Sequence, residues 1–222
     1  ISCPLCASPE HSSFHEDGRS YRQCAGCKLV FVLPENRLSP EIEKSRYDLH
    51  NNDPNDPRYR NFLNRLFKPI CKKLKAGSHG LDFGSGPGPT LSIMLEEAGH
   101  HVTLFDSFYA PNVEAFEKQY DFITASEVIE HLHEPLKEMD RLWSCLKPGG
   151  WMGIMTTRLP SPETFHNWYY KNDDTHVCFY SLETFEWLAK HLNAKLEDAS
   201  PEVILLQKLE LEPKMTTQGS LG

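Results

Sequence analysis

Four of the seven cysteines lie near the start of the chain, in two pairs with the spacing of zinc-binding turns: Cys3-x-x-Cys6 and Cys24-x-x-Cys27. Two such turns place four thiolates around one ion, and structural Zn²⁺ prefers tetrahedral thiolate coordination. The alternatives are two disulfides or a redox Cys-x-x-Cys. A cytosolic setting and the absence of a βαβ pattern around either pair count against them. The spacing therefore predicts one structural zinc ion.

A second set of residues suited to metal binding lies in the middle of the chain. Glu127, Glu130 and His131 have i, i+3, i+4 spacing, so on a helical turn they would share one face. Two carboxylates and one imidazole can ligate a hard or borderline divalent ion. The spacing thus permits a metal site here.

A glycine-rich segment lies between a short apolar run and a helical pattern. Gly84, Gly86 and Gly88 alternate with other residues shortly after Asp82. Glycine lets a ligand approach the main chain closely, and the following helix start offers free N–H groups. Pro89 stands where a dinucleotide fingerprint needs a small residue and where a P-loop needs lysine. The segment predicts a ligand crevice of another kind, with a tight strand–helix turn as the alternative.

Composition sets the broad class of the protein. At 222 residues, the chain can hold one full α/β domain and a small appendage. Its 31 acidic and 23 basic residues give a formal net charge of -8, so no global field draws it to nucleic acid or to an anionic membrane. No apolar run reaches membrane-spanning length and no signal-peptide pattern opens the chain. We therefore expect a cytoplasmic protein without membrane contact.

The elements that must position these residues follow from pattern. Strand–helix alternation from residue 79 onward predicts a doubly wound sheet. Residues 1–35 are too few to build a core alone, so zinc would have to supply their folding energy. The predicted organisation is a zinc ribbon at 1–35, a helical linker or lid at 36–78, an α/β domain at 79–212 and a flexible tail at 213–222.

Asp106 follows a predicted second strand, His101 to Phe105. An acidic residue about twenty positions beyond such glycines suits ribose hydroxyls, because a carboxylate can accept from both. A loop aspartate that caps the next segment is the alternative. The next predicted strand, Tyr120 to Ala125, begins so soon that a helix and a third strand do not fit between them. An acidic residue that would contact adenine is therefore not evident.

Three features stand in order at compatible intervals: Asp82-x-Gly84-x-Gly86-x-Gly88, Asp106 and the segment F-I-T-A-S-E-V-I-E-H-L at 122–132. In these features the chain resembles the class I S-adenosylmethionine-dependent methyltransferases over roughly residues 79–157. The resemblance implies a Rossmann-like α/β fold, here with a shortened third-strand unit and an N-terminal zinc ribbon. It also implies S-adenosylmethionine as cofactor, beside structural zinc.

The resemblance also assigns residues to the cofactor, from the lid, the glycine segment and the two strand ends that follow: Tyr47, Asp82, Gly84, Ser85, Gly86, Gly88, Asp106, Ser126 and Glu127. The E-x-x-E-H segment is similar to that of ubiquinone-pathway O-methyltransferases and small-RNA 2′-O-methyltransferases, which use it for Mg²⁺. Many relatives look alike here without a known metal. The preferred interpretation has Glu127 at the cofactor and His131 facing the acceptor.

An insertion at 158–180 is rich in aromatic and polar residues and predicts a wall for a methyl acceptor. His176 resembles a recurrent histidine after the fifth strand of related methyltransferases. If the acceptor is a hydroxyl or an acidic carbon, a base near neutral pKa assists, so His176 and His131 are the predicted catalytic residues. A structural histidine is the alternative for His176.

The chain is thus expected to transfer a methyl group to oxygen or carbon of a small or medium-sized metabolite. An RNA methyltransferase that recognises its substrate through the ribbon is one alternative, opposed by the lack of a basic face. A zinc-ribbon interaction protein with a vestigial cofactor fold is another, favoured only by the shortened sheet. The sequence predicts neither the acceptor nor the oligomeric state.

Overall fold

The structure is a computed structural model that describes residues 1–49 and 52–210. The predicted flexible tail at 213–222 lies outside the described residues. The strands are β1 (His11–Glu16), β2 (Ser20–Cys24), β3 (Val30–Val32), β4 (His79–Phe83), β5 (His101–Phe105), β6 (Tyr120–Ser126), β7 (Leu146–Met155), β8 (Cys178–Phe179), β9 (Ala194–Ser200) and β10 (Val203–Lys208). The helices are α1 (Pro40–Tyr47), α2 (Pro57–Cys71), α3 (Thr90–Glu97), α4 (Pro135–Ser144), α5 (Pro162–Phe165) and α6 (Leu182–His191). Among the described helices, none has the length and apolar character needed to cross a bilayer.

The larger sheet has the strand order β5-β4-β6-β7-β10-β9. The pairings among β5, β4, β6 and β7 are parallel, whereas β10 runs antiparallel to both β7 and β9. Between β5 and β6 the chain forms a 3-10 turn at Val113–Glu117 and no strand. The Rossmann-like α/β architecture is therefore confirmed, and β5 lies at the edge where a third strand would otherwise follow.

The sheet is covered on both faces because its strand residues alternate between two apolar layers. One layer packs Phe122 and Leu205 against α2 and α3 through Leu66 and Leu95. The other layer contains the neighbouring strand residues Ile123 and Leu206, together with α4 and α6. The two apolar layers thereby hold the parallel strands, and with them their carboxyl ends, in place.

A smaller sheet joins the start of the chain to the insertion. Its order is β1-β2-β3-β8, and β8 pairs with β3 through Val30 opposite Phe179 and Phe31 opposite Cys178. The Val32 N–H also donates to the Val177 carbonyl at 2.9 Å. The sequence analysis did not predict this fourth strand. The cysteine-rich segment therefore shares a sheet with residues of the predicted acceptor wall.

Strand β7 contains an irregular stretch near its start. The residues Lys147-Pro148-Gly149-Gly150, which are typical of a turn, lie within this strand, since β7 begins at Leu146. The register between β6 and β7 changes between Tyr120 and Phe122, and Gly149 has φ +77°. Glycine thus supplies a positive φ at an irregularity within the strand.

Candidate active site

A cleft of about 1050 Å³ opens at the carboxyl ends of β4, β5 and β6. It is also lined by α1 and by residues of the insertion. The cleft includes every predicted cofactor and catalytic residue: Tyr47, Asp82, Gly84, Ser85, Gly86, Gly88, Asp106, Ser126, Glu127, His131 and His176. Residues more than a hundred positions apart in the chain therefore meet in one cavity.

The glycine loop is shaped by its protein neighbours as well as by any ligand. Gly84 has φ +76°, and a Cβ there would lie 2.4 Å from Val128 Cγ2. A Cβ on Gly88 would lie 2.2 Å from the carbonyl oxygen of Asn52, which also accepts a hydrogen bond from the Thr90 hydroxyl at 3.0 Å. Glycine at these two positions is thus required by close packing.

Ser85 leaves a polar group unpaired at this loop. Its hydroxyl is buried and has no hydrogen-bond partner within the described ranges, although the residue lines the cleft. A buried hydroxyl without a partner is unfavourable, so a polar ligand group would satisfy it. The loop therefore fits a polar ligand.

Asp106 organises the loop that faces it. Its Oδ2 accepts from the Gly86 N–H at 2.9 Å, and its Oδ1 accepts from the N–H groups of Phe108 and Tyr109 at 2.8 and 3.0 Å. The alternative interpretation, a loop-capping aspartate, is therefore correct for Oδ1. Oδ2 receives one donor and keeps acceptor capacity for a ligand hydroxyl.

Both carboxylate oxygens of Asp82 accept hydrogen bonds from neighbouring elements of the fold. It accepts from the Ser92 and Thr124 hydroxyls, each at 2.7 Å, and so connects β4 with α3 and β6. Burial raises the pKa of Asp82 to about 6. Its contribution to a ligand therefore includes fixing the strand end from which the glycine loop starts.

Aromatic rings line the β5 side of the cleft, and the sequence analysis did not single them out. Phe105 and Phe108 contribute to the lining. The Arg141 guanidinium lies 5.7 Å from the centre of the Phe105 ring and 3.2 Å from that of Phe116. No local pattern marks these rings, because only the sheet order brings α4 next to β5.

On the β6 side, the structure brings one carboxylate and two imidazoles together. One ligand atom each from Glu130, His131 and His176 lies within 4.8 Å of the others. His176 Nδ1 is 2.7 Å from the carbonyl oxygen of Tyr170, and His131 Nδ1 is 3.2 Å from that of Thr175. Carbonyls only accept, so Nδ1 carries the proton in both rings and each Nε2 keeps its lone pair.

The charge state of these rings follows from burial. Burial lowers the pKa of both His131 and His176, so both are neutral at physiological pH. Asp173 Oδ2 lies 3.9 Å from His176 Nε2. Each Nε2 thus keeps a lone pair that can accept a proton or ligate an ion, although burial, which lowers the pKa of His176 to about 4, makes it a weaker base than the predicted near-neutral one.

Tyr170 connects the two glutamates beside the histidines. Its hydroxyl donates to Glu130 Oε1 and lies 3.0 Å from Glu127 Oε2. Glu130 is fully buried, and its Oε2 has no hydrogen-bond partner in the part of the chain that is described. Burial is the main cause that raises the pKa of both carboxyls, with the repulsion between them adding to that of Glu127. The sequence analysis did not give Tyr170 this role.

Residues 127–131 do not form the helical turn that would place Glu127, Glu130 and His131 on one face. Glu127 has φ +52°, and only Ile129–His131 forms a 3-10 turn. The Glu127 N–H donates to the Met155 carbonyl at 2.8 Å, which continues the contact between β6 and β7 by one residue. Because the contact with β7 continues through Glu127, no helical turn begins at this residue. The cluster of possible metal ligands therefore contains His176, and not Glu127, beside Glu130 and His131.

The four N-terminal cysteines lie in one group. Cys3 Sγ is 3.5 Å from Cys27 Sγ, and Cys6 Sγ is 3.3 Å from Cys24 Sγ. All four sulfur atoms lie within 4.8 Å of one another, and all four thiols are free. Each Cys-x-x-Cys pair is followed by a residue with positive φ, Ala7 or Lys28. This arrangement suits a single tetrahedral ion.

Comparisons with known proteins agree with this architecture. A family model described as a methyltransferase domain matches residues 51–199. The ubiquinone biosynthesis O-methyltransferase of Vibrio cholerae is 32% identical over 71 residues, which are 32% of this chain and 29% of that protein. The matched part thus spans less than a third of that relative.

Two solved structures show the same fold. The 1,6-didemethyltoxoflavin-N1-methyltransferase of Burkholderia thailandensis, solved with 1,6-didemethyltoxoflavin and S-adenosylhomocysteine, has a TM-score of 0.54 at 14% identity, covering 90% of this chain and 100% of that one. A SAM-dependent methyltransferase from Archaeoglobus fulgidus has a TM-score of 0.52 at 16% identity, covering 76% and 99%. At such identities the likeness concerns the fold.

Proposed function

The chain belongs to the methyltransferase domain family, and from this premise we propose that it transfers a methyl group from S-adenosylmethionine to oxygen or carbon of a small or medium-sized metabolite. One observation carries the proposal. A single cleft contains the glycine loop and Asp106 on the β5 side, and two neutral histidines beside buried carboxylates on the β6 side.

The cofactor would be held by groups that are incompletely paired. Asp106 Oδ2 can accept from a ribose hydroxyl, and the buried Ser85 hydroxyl can bond a polar group over the loop. Glu127 lines the same cleft and would lie near the methionine part. When bound, S-adenosylmethionine supplies a methyl group on a positively charged sulfur, open to in-line attack.

Proton removal from the acceptor is assigned to His176, with His131 beside it. The hydrogen bond from Nδ1 to Tyr170 fixes the ring and leaves Nε2 as the accepting atom. A proton at Nε2 would be stabilised by the Asp173 carboxylate 3.9 Å away. The His176 ring is itself buried, which limits its own contact with water.

The acceptor is expected to be uncharged or cationic. Among the described residues that line the cleft, Arg141 is the one lysine or arginine, and its guanidinium stacks on Phe116. Glu43 and Asp173 contribute carboxylates to the same lining. Phosphate recognition draws on several Lys and Arg groups, so an RNA acceptor is less well supported.

The four-cysteine cluster is assigned to one structural zinc ion, held by Cys3, Cys6, Cys24 and Cys27. Its support is the distance between sulfur atoms and the absence of a disulfide among the described cysteines. Such an ion would fold the ribbon and would take no part in methyl transfer.

A metal-assisted reaction is the second candidate, and the cluster of Glu130, His131 and His176 favours it. Both imidazoles have a free Nε2, and Glu130 Oε2 is buried without a hydrogen bond from any described residue. These residues fit a borderline divalent ion such as Mn²⁺. When bound, the ion would polarise an acceptor oxygen and lower its pKa.

We expect Mn²⁺ to raise the unfolding temperature of the zinc-loaded protein if this second candidate is correct. The raised pKa of Glu130 means that a proton must leave before the ion binds, so the increase should be larger at pH 8 than at pH 6. Differential scanning fluorimetry measures it. Glu130→Gln should abolish the increase, whereas Glu96→Gln, an exposed position on α3, should preserve it. An equal increase in all three proteins would contradict the site.

Isothermal titration calorimetry with S-adenosylmethionine and S-adenosylhomocysteine tests the main proposal. We expect micromolar binding to the wild type and a loss of about 10- to 100-fold in Asp106→Ala, since a hydrogen bond to a charged group contributes about 1.5 to 3 kcal/mol. Asp121→Asn is the matched control, because Asp121 pairs with Lys147 outside the cleft. No binding of either ligand to the wild type would overturn the function, whereas unchanged binding to Asp106→Ala would overturn only the role of Asp106.

A further inference from the structure

The hairpin between β1 and β2 reaches the loop that carries His176. Arg19, at the end of this hairpin, donates to backbone carbonyls of that loop. Its acceptors are Lys171, Asp173 at 3.3 Å, Asp174 at 3.2 Å and His176 at 3.1 Å. One side chain of the ribbon thus contacts four peptide units of the acceptor wall.

Every donor of this guanidinium is engaged. The Nε–H donates to the Tyr21 hydroxyl at 3.1 Å, while Nη1 and Nη2 supply two hydrogen bonds each to the loop. Tyr21 is itself buried, so its hydroxyl holds the Nε side of the guanidinium in a defined position. Only the planar five-donor fork of arginine has this capacity, because lysine offers three donors from one point.

The same loop sets the ring orientation of both predicted catalytic residues. The Tyr170 carbonyl accepts from His176, and the Thr175 carbonyl accepts from His131. The two carbonyls that bind the histidines therefore lie in the same short segment as the four that bind Arg19. Moving the loop relative to Arg19 would move both imidazoles.

Two further contacts connect the ribbon to this loop. Lys171 is only 7% exposed, and its ammonium pairs with Asp17, two residues before Arg19. At the other end of the loop, Val177 accepts from Val32 of β3. The loop is thus held by the ribbon at both of its ends and along its length.

We infer that Arg19 is a positioning residue, which holds residues 171–176 so that Asp173 and His176 face the cleft. Through this side chain the N-terminal ribbon supports the acceptor site. The inference deepens the proposed function and rests on it for the role of His176. The contacts themselves, and the amide exchange rates that they control, are independent of catalysis.

Hydrogen–deuterium exchange of the 170–180 segment tests this inference on Arg19→Gln, Arg19→Lys and wild-type protein. The amides of Thr175, His176 and Val177 all donate within the site, to Asp173 or Glu130. We expect them to exchange at least about tenfold faster in Arg19→Gln. Arg19→Lys should be nearly as fast, since a lysine cannot span four carbonyls. In ¹⁵N spectra, the His176 ring should also lose its single Nδ1–H tautomer, with His176→Gln identifying its signals.

Arg22→Gln is the matched control. Arg22 lies on β2 of the same ribbon, and the ion pair recorded for it is with Glu16 at 3.8 Å. Its exchange and tautomer signals should match those of the wild type, and all four proteins should keep their zinc content. Wild-type exchange in Arg19→Gln, or full restoration by Arg19→Lys, would overturn the inference.

The outcome is separable from that of the proposed function. If the wild type binds no S-adenosylhomocysteine, the methyltransferase proposal fails, while the exchange rates still report on Arg19. If Arg19→Gln does not fold, Arg19→Lys keeps the charge and supplies the same comparison. S-adenosylhomocysteine affinity within about threefold of wild type in both variants would show that the cofactor side of the cleft is intact.

Discussion

Cys24→Ser is expected to abolish zinc binding and to prevent the chain from folding, whereas the wild type should contain about one zinc ion per chain. The four sulfur atoms lie within 4.8 Å of one another, so removing one thiolate leaves an incomplete tetrahedral site. Structural zinc contributes about 10 to 16 kcal/mol in small zinc domains, which is comparable with the whole net stability of a domain.

The loss should extend beyond the ribbon. Leu29 and Phe31 of the N-terminal segment belong to the same apolar cluster as Phe179 and as Ile123 in the larger sheet. Unfolding of the ribbon would expose this cluster and release β8 from β3. We therefore expect the Cys24→Ser protein to aggregate, or to show no cooperative unfolding transition when it is titrated with denaturant at 25 °C.

Elemental analysis and circular dichroism measure the two effects. Cys71→Ser is the control, because Cys71 is half-buried on α2 and outside the cluster. It should retain both zinc and fold. A wild type that is folded and contains no zinc, when purified without chelator, would show that the cysteines serve another purpose.

Gly84→Ala is expected to destabilise the chain by about 3 kcal/mol and to lower S-adenosylhomocysteine affinity at least about tenfold. A left-handed backbone costs about 1 to 2 kcal/mol for a residue with a Cβ, and overpacking adds about 1 to 3 kcal/mol. The new methyl group would meet Val128 Cγ2 at 2.4 Å and Cγ1 at 2.7 Å. Relief would require Val128 or the loop to shift, and the loop is held by the Gly84 N–H, which donates to the Phe105 carbonyl at 2.7 Å.

Gly99→Ala separates backbone strain from the clash. Gly99 also has positive φ, +87°, but a Cβ there would meet nothing within 4 Å. It should lose about 1 kcal/mol and keep normal ligand affinity. Denaturant unfolding and calorimetry compare the two. Gly84→Ala/Val128→Ala should recover part of the stability, and equal losses in Gly84→Ala and Gly99→Ala would refute the packing argument.

The structure changes how the N-terminal segment is understood. The sequence analysis offered a structural or substrate-recognition ribbon at 1–35, and a basic surface would have favoured RNA. Instead, Arg19 points its donors at carbonyls of the same chain. The N-terminal segment is accordingly proposed as a support for the acceptor wall, whose described cleft-lining residues include Asp173 and no lysine or arginine.

The side chains that line the cleft limit the kinds of methyl acceptor that it can bind. Tyr47 and Tyr170 contribute aromatic surface near the histidines, with the Tyr47 ring 5.3 Å from that of His131. Together with the carboxylates of the lining, this surface suits an aromatic or aliphatic acceptor without phosphate. Screening should therefore begin with neutral compounds that carry a hydroxyl group or an acidic carbon.

The sequence by itself determined the elements whose cause is local. The glycine loop, the strand before it, the position of Asp106 and the missing third strand all follow from composition and spacing over a few tens of residues. The ordered motifs also indicated the class of fold, through their resemblance to the class I methyltransferases. The cysteine pairs predicted a compact cluster for the same reason, and zinc in it stays a prediction.

Only the tertiary structure decided which distant groups meet. Arg19 and the His176 carbonyl are 157 positions apart, and no periodicity indicates that a guanidinium will find that loop. The pairing of β8 with β3, the replacement of Glu127 by His176 in the ligand cluster and the bridging role of Tyr170 likewise depend on packing. The sequence does not show which distant acceptor a given hydrogen-bond donor will contact. That partner is determined only when burial of apolar side chains brings the two segments together.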